Sequence, residues 1–428
     1  MSGPETASAV SGERALRLVG LGALIGIPAA LAAALFLTAV HELEHWFWVD
    51  LPEHLGASGP PWYLVVGLPL AGAGIVLAAR TLLPGDGGHE PLGGIAVAPT
   101  PISHAPGVVL AAIGSLAFGA VLGPEAPLFA LGSIVGLVAA RFARMGDADG
   151  RVLSTAGTFS AISALFGGPV AAAMLLLEAG VGMGASLIPT LIPGLVAASI
   201  GYLIFLGIGD WGGLEATTLS VPGLPAYDGV HLRDLVVAVA VGVLLAVLTE
   251  IVRRLAARIA GPGRARLGMA RTLLLGALAI GVVALLADGL GASSQDVLFS
   301  GQASIPGLVG EDSARIVIVL LAAKALAYAI CLGCGFRGGP VFPAIFLGVA
   351  VAMVAAIAFD MSPTLALAVG TAAGMTAMTR LILASLIIAA LLVGTAGVEA
   401  VPVAALAAVA AWMTMAAIDT RFPVRAAA

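Results

Sequence analysis

The sequence predicts an all-α, polytopic membrane protein in which long helices alternate with short, broken ones. Three observations lead there. Of 428 residues, 60% are hydrophobic and 10% charged, against about 25% charged in an ordinary soluble domain. Mean hydropathy is +1.10, and apolar runs of about 20 residues, the length that crosses a hydrocarbon core, recur from Leu16 to Ala417. Glycine and proline, 57 and 25 in number, cut several runs into pieces too short to span. Unwound backbone at membrane depth is tolerated only when buried in protein or lining a cavity, so these breaks imply an interior site. The abundant small residues also suit close helix packing in lipid.

Taken in order, the first helix is expected over 15–48. The polar stretch before it, Met1 to Arg14, has no signal-peptide cleavage pattern, so this span reads as a retained anchor. Its end, HELEH followed by Trp46 and Trp48, reads as a membrane interface. Apolar length and Gly/Pro punctuation then predict helices over 62–83, 91–98, 105–121, 125–142, 151–165, 169–179 and 185–207. A connector at 209–229 carries DWGG, VPGLP and AYDG, which are turn signals. Beyond it helices are expected over 231–257, 270–290, 296–305, 314–335, 340–359, 363–377, 380–393 and 398–418. The whole chain, 1–428, is expected to form a single membrane domain of two halves, about 15–208 and 230–418.

The halves share a motif. Residues 123–132 read GPEAPLFALG and residues 339–348 read GPVFPAIFLG; Gly, Pro, Pro, Leu and Gly coincide. Paired Gly/Pro-interrupted apolar segments in two halves point to a transporter site near the bilayer midplane. Only the first copy carries a charge. Glu125 is a lone carboxylate in the apolar stretch LAAIGSLAFGAVLGPEAPLFALG, and a charge at bilayer depth costs about 3 kcal/mol or more. The flanking prolines and glycine place it at a helix N-terminus, where amide N–H groups attract anions. A protein anion on an anion site suggests a gate; the plainer reading is a carboxylate capping its own helix.

The remaining polar residues divide between structure and chemistry. Of 19 basic residues 18 are arginine, clustered at Arg141/Arg144/Arg151 and Arg253/Arg254/Arg258/Arg264/Arg266/Arg271, which the positive-inside rule places on the cytoplasmic side. Lys324, in an apolar run, reads as a snorkelling or paired structural residue. Cys331 and Cys334 form a CxxC without the βαβ context of a redox motif, and two ligands make no structural zinc site. His41 and His45 in HELEH share metal-binding spacing, but an interfacial helix end is the reading preferred over a metallohydrolase. Arg380 reads as structural, and His89 as a loop histidine or a pH modulator. A net charge of -5 does not suggest nucleic acid.

These residues resemble the CLC family of chloride channels and proton/chloride antiporters across about residues 15 to 418. VLGPEAP at 121–127 is similar to the family's GREGP element, with Glu125 on the gating glutamate. GDGGHEP at 85–91 is similar to GSGIP, FRGGPVFP at 336–343 to GxFxP, and SGQASIPG at 300–307 to a further glycine-rich segment. FGGPVAAAMLLLE at 166–178 resembles the family helix at the dimer interface. Departures accompany the match. Pro124 stands for Arg or Lys, Gly88 for the chloride-contacting serine, and Val341, with Phe342 adjacent, for the phenylalanine. The inner proton-relay glutamate falls on Ala179, beside Glu178, and the central tyrosine has no counterpart.

The resemblance implies a CLC-like fold of two inverted-topology repeats, a homodimer, and transport of a small inorganic anion, most readily chloride, in a multi-pass protein of the cell membrane. Glu125 is the expected gate. Backbone N–H groups at 87–89, 126–129 and 341–345 are expected to coordinate the anion, with Gly87, Gly88, His89, Gly123, Ala126, Pro127, Val341 and Phe342 as candidates. Dipoles suit turnover better than full charges, which would hold an anion too tightly. Glu178 is a candidate for proton delivery. Passive conduction and proton-coupled exchange both stay open, with the Ala179 departure leaning toward the former. No cofactor, metal or enzymatic activity is expected. An organic-carboxylate or other-halide transporter and a non-conducting scaffold are the competing readings.

Overall fold

A computed structural model describes residues 12–95, 98–180, 187–212 and 219–422. Its α-helices in chain order begin with α1 (Gly12–His45), α2 (Leu51–His54), α3 (Trp62–Leu82), α4 (Ala105–Leu116), α5 (Glu125–Phe142) and α6 (Asp147–Leu165). There follow α7 (Pro169–Ala179), α8 (Leu187–Gly212), α9 (Leu232–Arg258), α10 (Arg264–Leu267), α11 (Met269–Asp288) and α12 (Ser294–Val297). The last six are α13 (Ile305–Val309), α14 (Ala314–Cys334), α15 (Val341–Phe359), α16 (Pro363–Thr379), α17 (Ile382–Val393) and α18 (Val401–Arg421). Among the described residues, nine helical stretches are long and apolar enough to cross a membrane. Ile102–Leu116, Pro169–Ala179 and Ile382–Ala396 are apolar but shorter. This is a multi-pass membrane protein.

Three expected helices are shortened or broken, each for a backbone reason. The helix expected at 91–98 is a single 3-10 turn, Pro91–Gly93, after which Gly94 takes φ +79; residues 96–97 lie outside the described residues. The helix expected over 105–121 stops at Leu116, because Gly119 turns the chain with φ +90. The segment 296–305 contains the end of α12, a break at Phe299 (φ +62) and Gly301 (φ +83), and the start of α13. Helix α8 runs on to Gly212, past the expected start of the connector, whose residues 213–218 lie outside the described residues.

The chain forms two compact units. One comprises the described residues of Met1–Leu37, Val97–Ala105 and Leu128–Thr218. Here α6, α7 and α8 pack together, and small residues bring backbones into contact. A Cβ on Gly132 would meet the backbone of Gly157, and one on Gly136 that of Leu153. Buried hydroxyls bond across these contacts: Ser160 donates to the Gly26 carbonyl at 2.7 Å, and Ser133 and Ser154 pair at 2.8 Å. Such small-residue faces with hydroxyl bonds replace the hydrophobic drive that lipid does not supply.

The second unit comprises Thr38–Ala96, Pro106–Pro127 and the described residues of Leu219–Ala428. At its centre α15 packs on α16 and α14. Residues 364–377 of α16 are all buried, as expected for a helix that is apolar on every face. Gly348 of α15 and Gly370 of α16 interlock, each leaving no room for a Cβ against the other's backbone.

Candidate functional site

The site lies in the second unit, where the two motif copies meet. After Gly119 the chain passes through a bend at Val121 to Gly123, which forms an isolated antiparallel bridge with Gly339. Gly123 N–H donates to the Gly339 carbonyl at 2.8 Å, and Gly339 N–H donates to the Gly123 carbonyl at 2.5 Å. These are the first residues of the two similar segments. A residue that exchanges both hydrogen bonds with its own counterpart has a local two-fold axis passing between the pair. A proline follows each glycine, then α5 starts at Glu125 and α15 at Val341. Two helix N-termini therefore begin side by side.

Glu125 is 1% exposed. Its Oε1 accepts a hydrogen bond from the Phe342 backbone N–H at 2.9 Å, and the N–H groups of Val341 and of Glu125 itself also face the carboxylate. Among the described residues Oε2 has no hydrogen-bond partner. The carboxylate thus lies on the positive end of α15, where unsatisfied amides and the helix dipole favour an anion. Its seat exists because two residues lack side chains: a Cβ on either Gly123 or Gly339 would overlap the carboxylate. Tyr328 of α14, fully buried, donates from its hydroxyl to the Pro340 carbonyl at 2.7 Å and so braces the turn that opens α15. Sequence reading missed it because it stands mid-helix in an apolar run.

The glycine-rich loop 85–91 gathers charged side chains as well as backbone amides. Gly85, Gly87 and Gly88 take φ of +89, +71 and +96, and Asp86 between them takes +49. Three arginines converge on this loop. Arg80 donates to both Asp86 carboxylate oxygens at 2.8 and 2.7 Å, Arg337 donates to Asp86 Oδ2 at 2.6 Å, and Arg264 donates to Glu90 Oε1 at 2.7 Å. Burial alone would push both carboxyls up, but hydrogen bonds and charge from the arginines outweigh it and hold both below the usual carboxylate range. His89 is held below the usual histidine value by burial and by the charge of Arg337, against a contact from its Nε2 to the Gly94 carbonyl at 3.1 Å. It is therefore neutral near pH 7. Sequence reading missed Arg80, Arg337, Asp86 and Glu90 as a group, although Arg337 is the only charged residue between Lys324 and Asp360.

Of the expected site residues, Glu125, Gly123, Val341 and Phe342 come together, and Gly87, Gly88 and His89 gather near Arg80 and Arg337. Ala126 is half-buried and Pro127 buried beside Glu125. Pro127 has no N–H and cannot donate, a correction that follows from its ring. Glu178 belongs to the first unit, half-buried near the C-terminal end of α7. His45 pairs with Asp50 at 3.3 Å. Cys331 is buried and its sulfur accepts from the Val121 N–H at 3.2 Å. Arg380 donates to Asp419 at 2.6 Å. Lys324 donates to the carbonyls of Asp296, Val297 and Leu298 at 2.8, 3.3 and 2.9 Å, with its ammonium 4.4 Å from the centre of the Phe346 ring.

Known proteins carry the same arrangement of elements. The chain is 29% identical over 362 residues to "Putative ion-transport protein YfeO" of Escherichia coli O7:K1 and to that of Escherichia fergusonii, covering 79% of each chain in both comparisons. Its fold is similar to that of a slow cyanobacterial Cl-/H+ antiporter, with a TM-score of 0.76 at 17% identity over 94% of this chain and 95% of the other. It is similar also to a CLC-type fluoride/proton antiporter, with a TM-score of 0.68 at 20% identity over 95% and 96% of the two chains. The profile described as "Voltage gated chloride channel" matches residues 69–415, and with that match over most of its length the chain belongs to the CLC family.

Proposed function

We propose that this protein moves a small inorganic anion, most readily chloride, across the membrane along a path closed by the Glu125 carboxylate. One observation carries the reading: a buried carboxylate with one unbonded oxygen occupies the amide-lined N-terminus of a second helix, in a gap kept open by two glycines. That terminus binds an anion whether or not the anion is tethered. Chloride arriving there displaces the carboxylate, or a proton neutralises it, and the side chain leaves. The path stays closed otherwise. Family membership supports the anion as cargo, and the glycine bridge supports the reading of two inverted repeats sharing one site. A homodimer with one path per subunit is proposed on the same ground.

Channel-like conduction is the form proposed here, because Ala179 removes the usual inner relay carboxylate. The test is chloride efflux from proteoliposomes with external pH recorded alongside, for wild type and Glu125→Ala, with fluoride and an organic carboxylate as competing anions. Chloride flux without proton movement, altered by the substitution, is the expected result. Uphill proton movement lost in Glu125→Ala would replace conduction by exchange. No flux of any anion from well-folded protein would overturn the proposal.

A further inference from the structure

The arginine cluster at loop 85–91 has a layered order. Arg80 and Arg337 have side chains only 3% and 2% exposed, whereas that of Asp86, which bonds both, is 58% exposed. Solvent therefore meets the carboxylate first and two buried guanidinium groups behind it. Arg337 is held in place by its own backbone N–H, which donates to the Ser115 hydroxyl at 2.9 Å, and by its Nε and Nη2, which donate to the Asp86 carbonyl at 3.0 and 2.9 Å. Its Nη1 is buried without a hydrogen bond; the Glu90 carboxylate comes to 3.4 Å but outside bonding geometry. Three arginines against two carboxylates leave one positive charge over. A buried guanidinium with a spare donor and surplus charge is a site for a planar or spherical anion.

The carboxylate on that site is carried by a backbone conformation that costs energy. Asp86 sits in the left-handed region, which ordinary residues enter at a cost, between Gly85 and Gly87. The arrangement parallels Glu125: an anion of the protein placed where a free anion fits. We propose that Arg337, with Arg80 beside it, is a second anion-binding position of this chain, and that Asp86 is its tethered competitor, displaced when an inorganic anion takes the guanidinium face. This rests on the reading that the chain handles small inorganic anions. Residues 337 and 339 are two apart, so their Cα atoms lie at most about 7 Å from each other. Loop 335–340 thus carries residues of both positions, Arg337 of the one and Gly339 of the other. Because Asp86 and Glu90 are held ionised by the arginines and His89 is neutral, occupancy is set by anion concentration rather than by protons near neutral pH.

The experiment is calorimetric titration of purified full-length protein with sodium chloride, and separately sodium fluoride, at constant ionic strength with isethionate as the balancing anion. Asp86→Asn removes the competitor and keeps its size, so anion binding tightens about tenfold, a change of about 1.4 kcal/mol. Arg337→Lys keeps the charge but loses the planar fork, and weakens binding by about the same factor. The Asp86→Asn gain persists in an Asp86→Asn/Glu125→Gln double variant, because the competitor at this position is Asp86 and not Glu125. An Asp86→Asn protein that binds no tighter than wild type, while melting at a lower temperature, would overturn the proposal and leave an ordinary ion pair. Since that variant is expected to gain affinity, misfolding cannot imitate success. If the liposome assay shows no flux but the calorimetric gain is present, binding at Arg337 stands and transport falls; flux without the gain gives the converse.

Discussion

Gly123→Ala tests the seat of the Glu125 carboxylate directly. A Cβ at position 123 would lie 2.6 Å from the Glu125 Cδ and closer still to both carboxyl oxygens. These three atoms are the nearest ones, and all belong to the movable end of one side chain. The bridge to Gly339 uses only the backbone of residue 123, so alanine retains it. The carboxylate must therefore turn out of its seat and give up the Phe342 N–H. A hydrogen bond to a charged group is worth about 1.5–3 kcal/mol, so the ratio of seated to displaced carboxylate falls by about 10- to 150-fold. In the liposome flux assay Gly123→Ala raises chloride flux at neutral pH and flattens its pH dependence toward that of Glu125→Ala. In a Glu125→Ala background the three clashing atoms are gone, and Gly123→Ala adds nothing beyond about 0.5 kcal/mol. Wild-type flux and pH dependence in Gly123→Ala, or an effect of equal size without Glu125, would refute the steric argument.

Three further outcomes are expected. Lys324→Met leaves the carbonyls of Asp296, Val297 and Leu298 without their donor, which costs about 2–4 kcal/mol and lowers the melting temperature in detergent by several degrees. Gly370→Leu drives a side chain into the backbone of Gly348 and Val349, which cannot yield, and abolishes the monodisperse gel-filtration peak; Gly67→Leu, with open space around that position, leaves it intact. Asp86 and Glu90 have carboxyl pKa values lowered by their arginines against the opposing effect of burial. Their contribution to stability is complete above the ordinary carboxylate value of about 4 and is lost progressively as pH falls from there through the lowered values. Thermal melts followed from pH 7 downward therefore show no loss from this cluster until about pH 4 and a progressive loss below it, and Asp86→Asn removes the Asp86 share of that acid-dependent component.

Much of this was legible in the amino-acid order, and the limits have physical causes. Apolar length gave the helices, and GPEAP and GPVFP marked two helix starts, because proline and glycine act locally. What those motifs do to each other was not legible. The bridge between Gly123 and Gly339 joins positions 216 residues apart, and nothing local records that the N–H of each meets the carbonyl of the other. Loop 85–91 shows a different limit. Its glycines suggested amides turned toward an anion; that three arginines also converge on its left-handed turns was not legible. Arg264 read as one member of a cytoplasmic basic run, yet its side chain reaches back to Glu90. The usable signal was the pair Asp86 and Glu90, four residues apart in a chain of which only 10% is charged, together with the arginines Arg80 and Arg337 at the edges of apolar runs. The short break at Phe299 and Gly301 was hidden in a segment of helix-like composition.

The fit between Gly123 and the Glu125 carboxylate also constrains the order in which such a chain can change over generations. While glutamate stands at 125, any side chain at 123 unseats it, so substitution there is open only after the glutamate has gone. Once a larger residue has settled at 123, restoring glutamate at 125 no longer restores the closed state, because its place has been filled. Loss of the gate is thus easy to enter and hard to reverse: a lineage that drifts through that sequence of steps carries a one-way historical mark, readable two residues from the carboxylate it has lost.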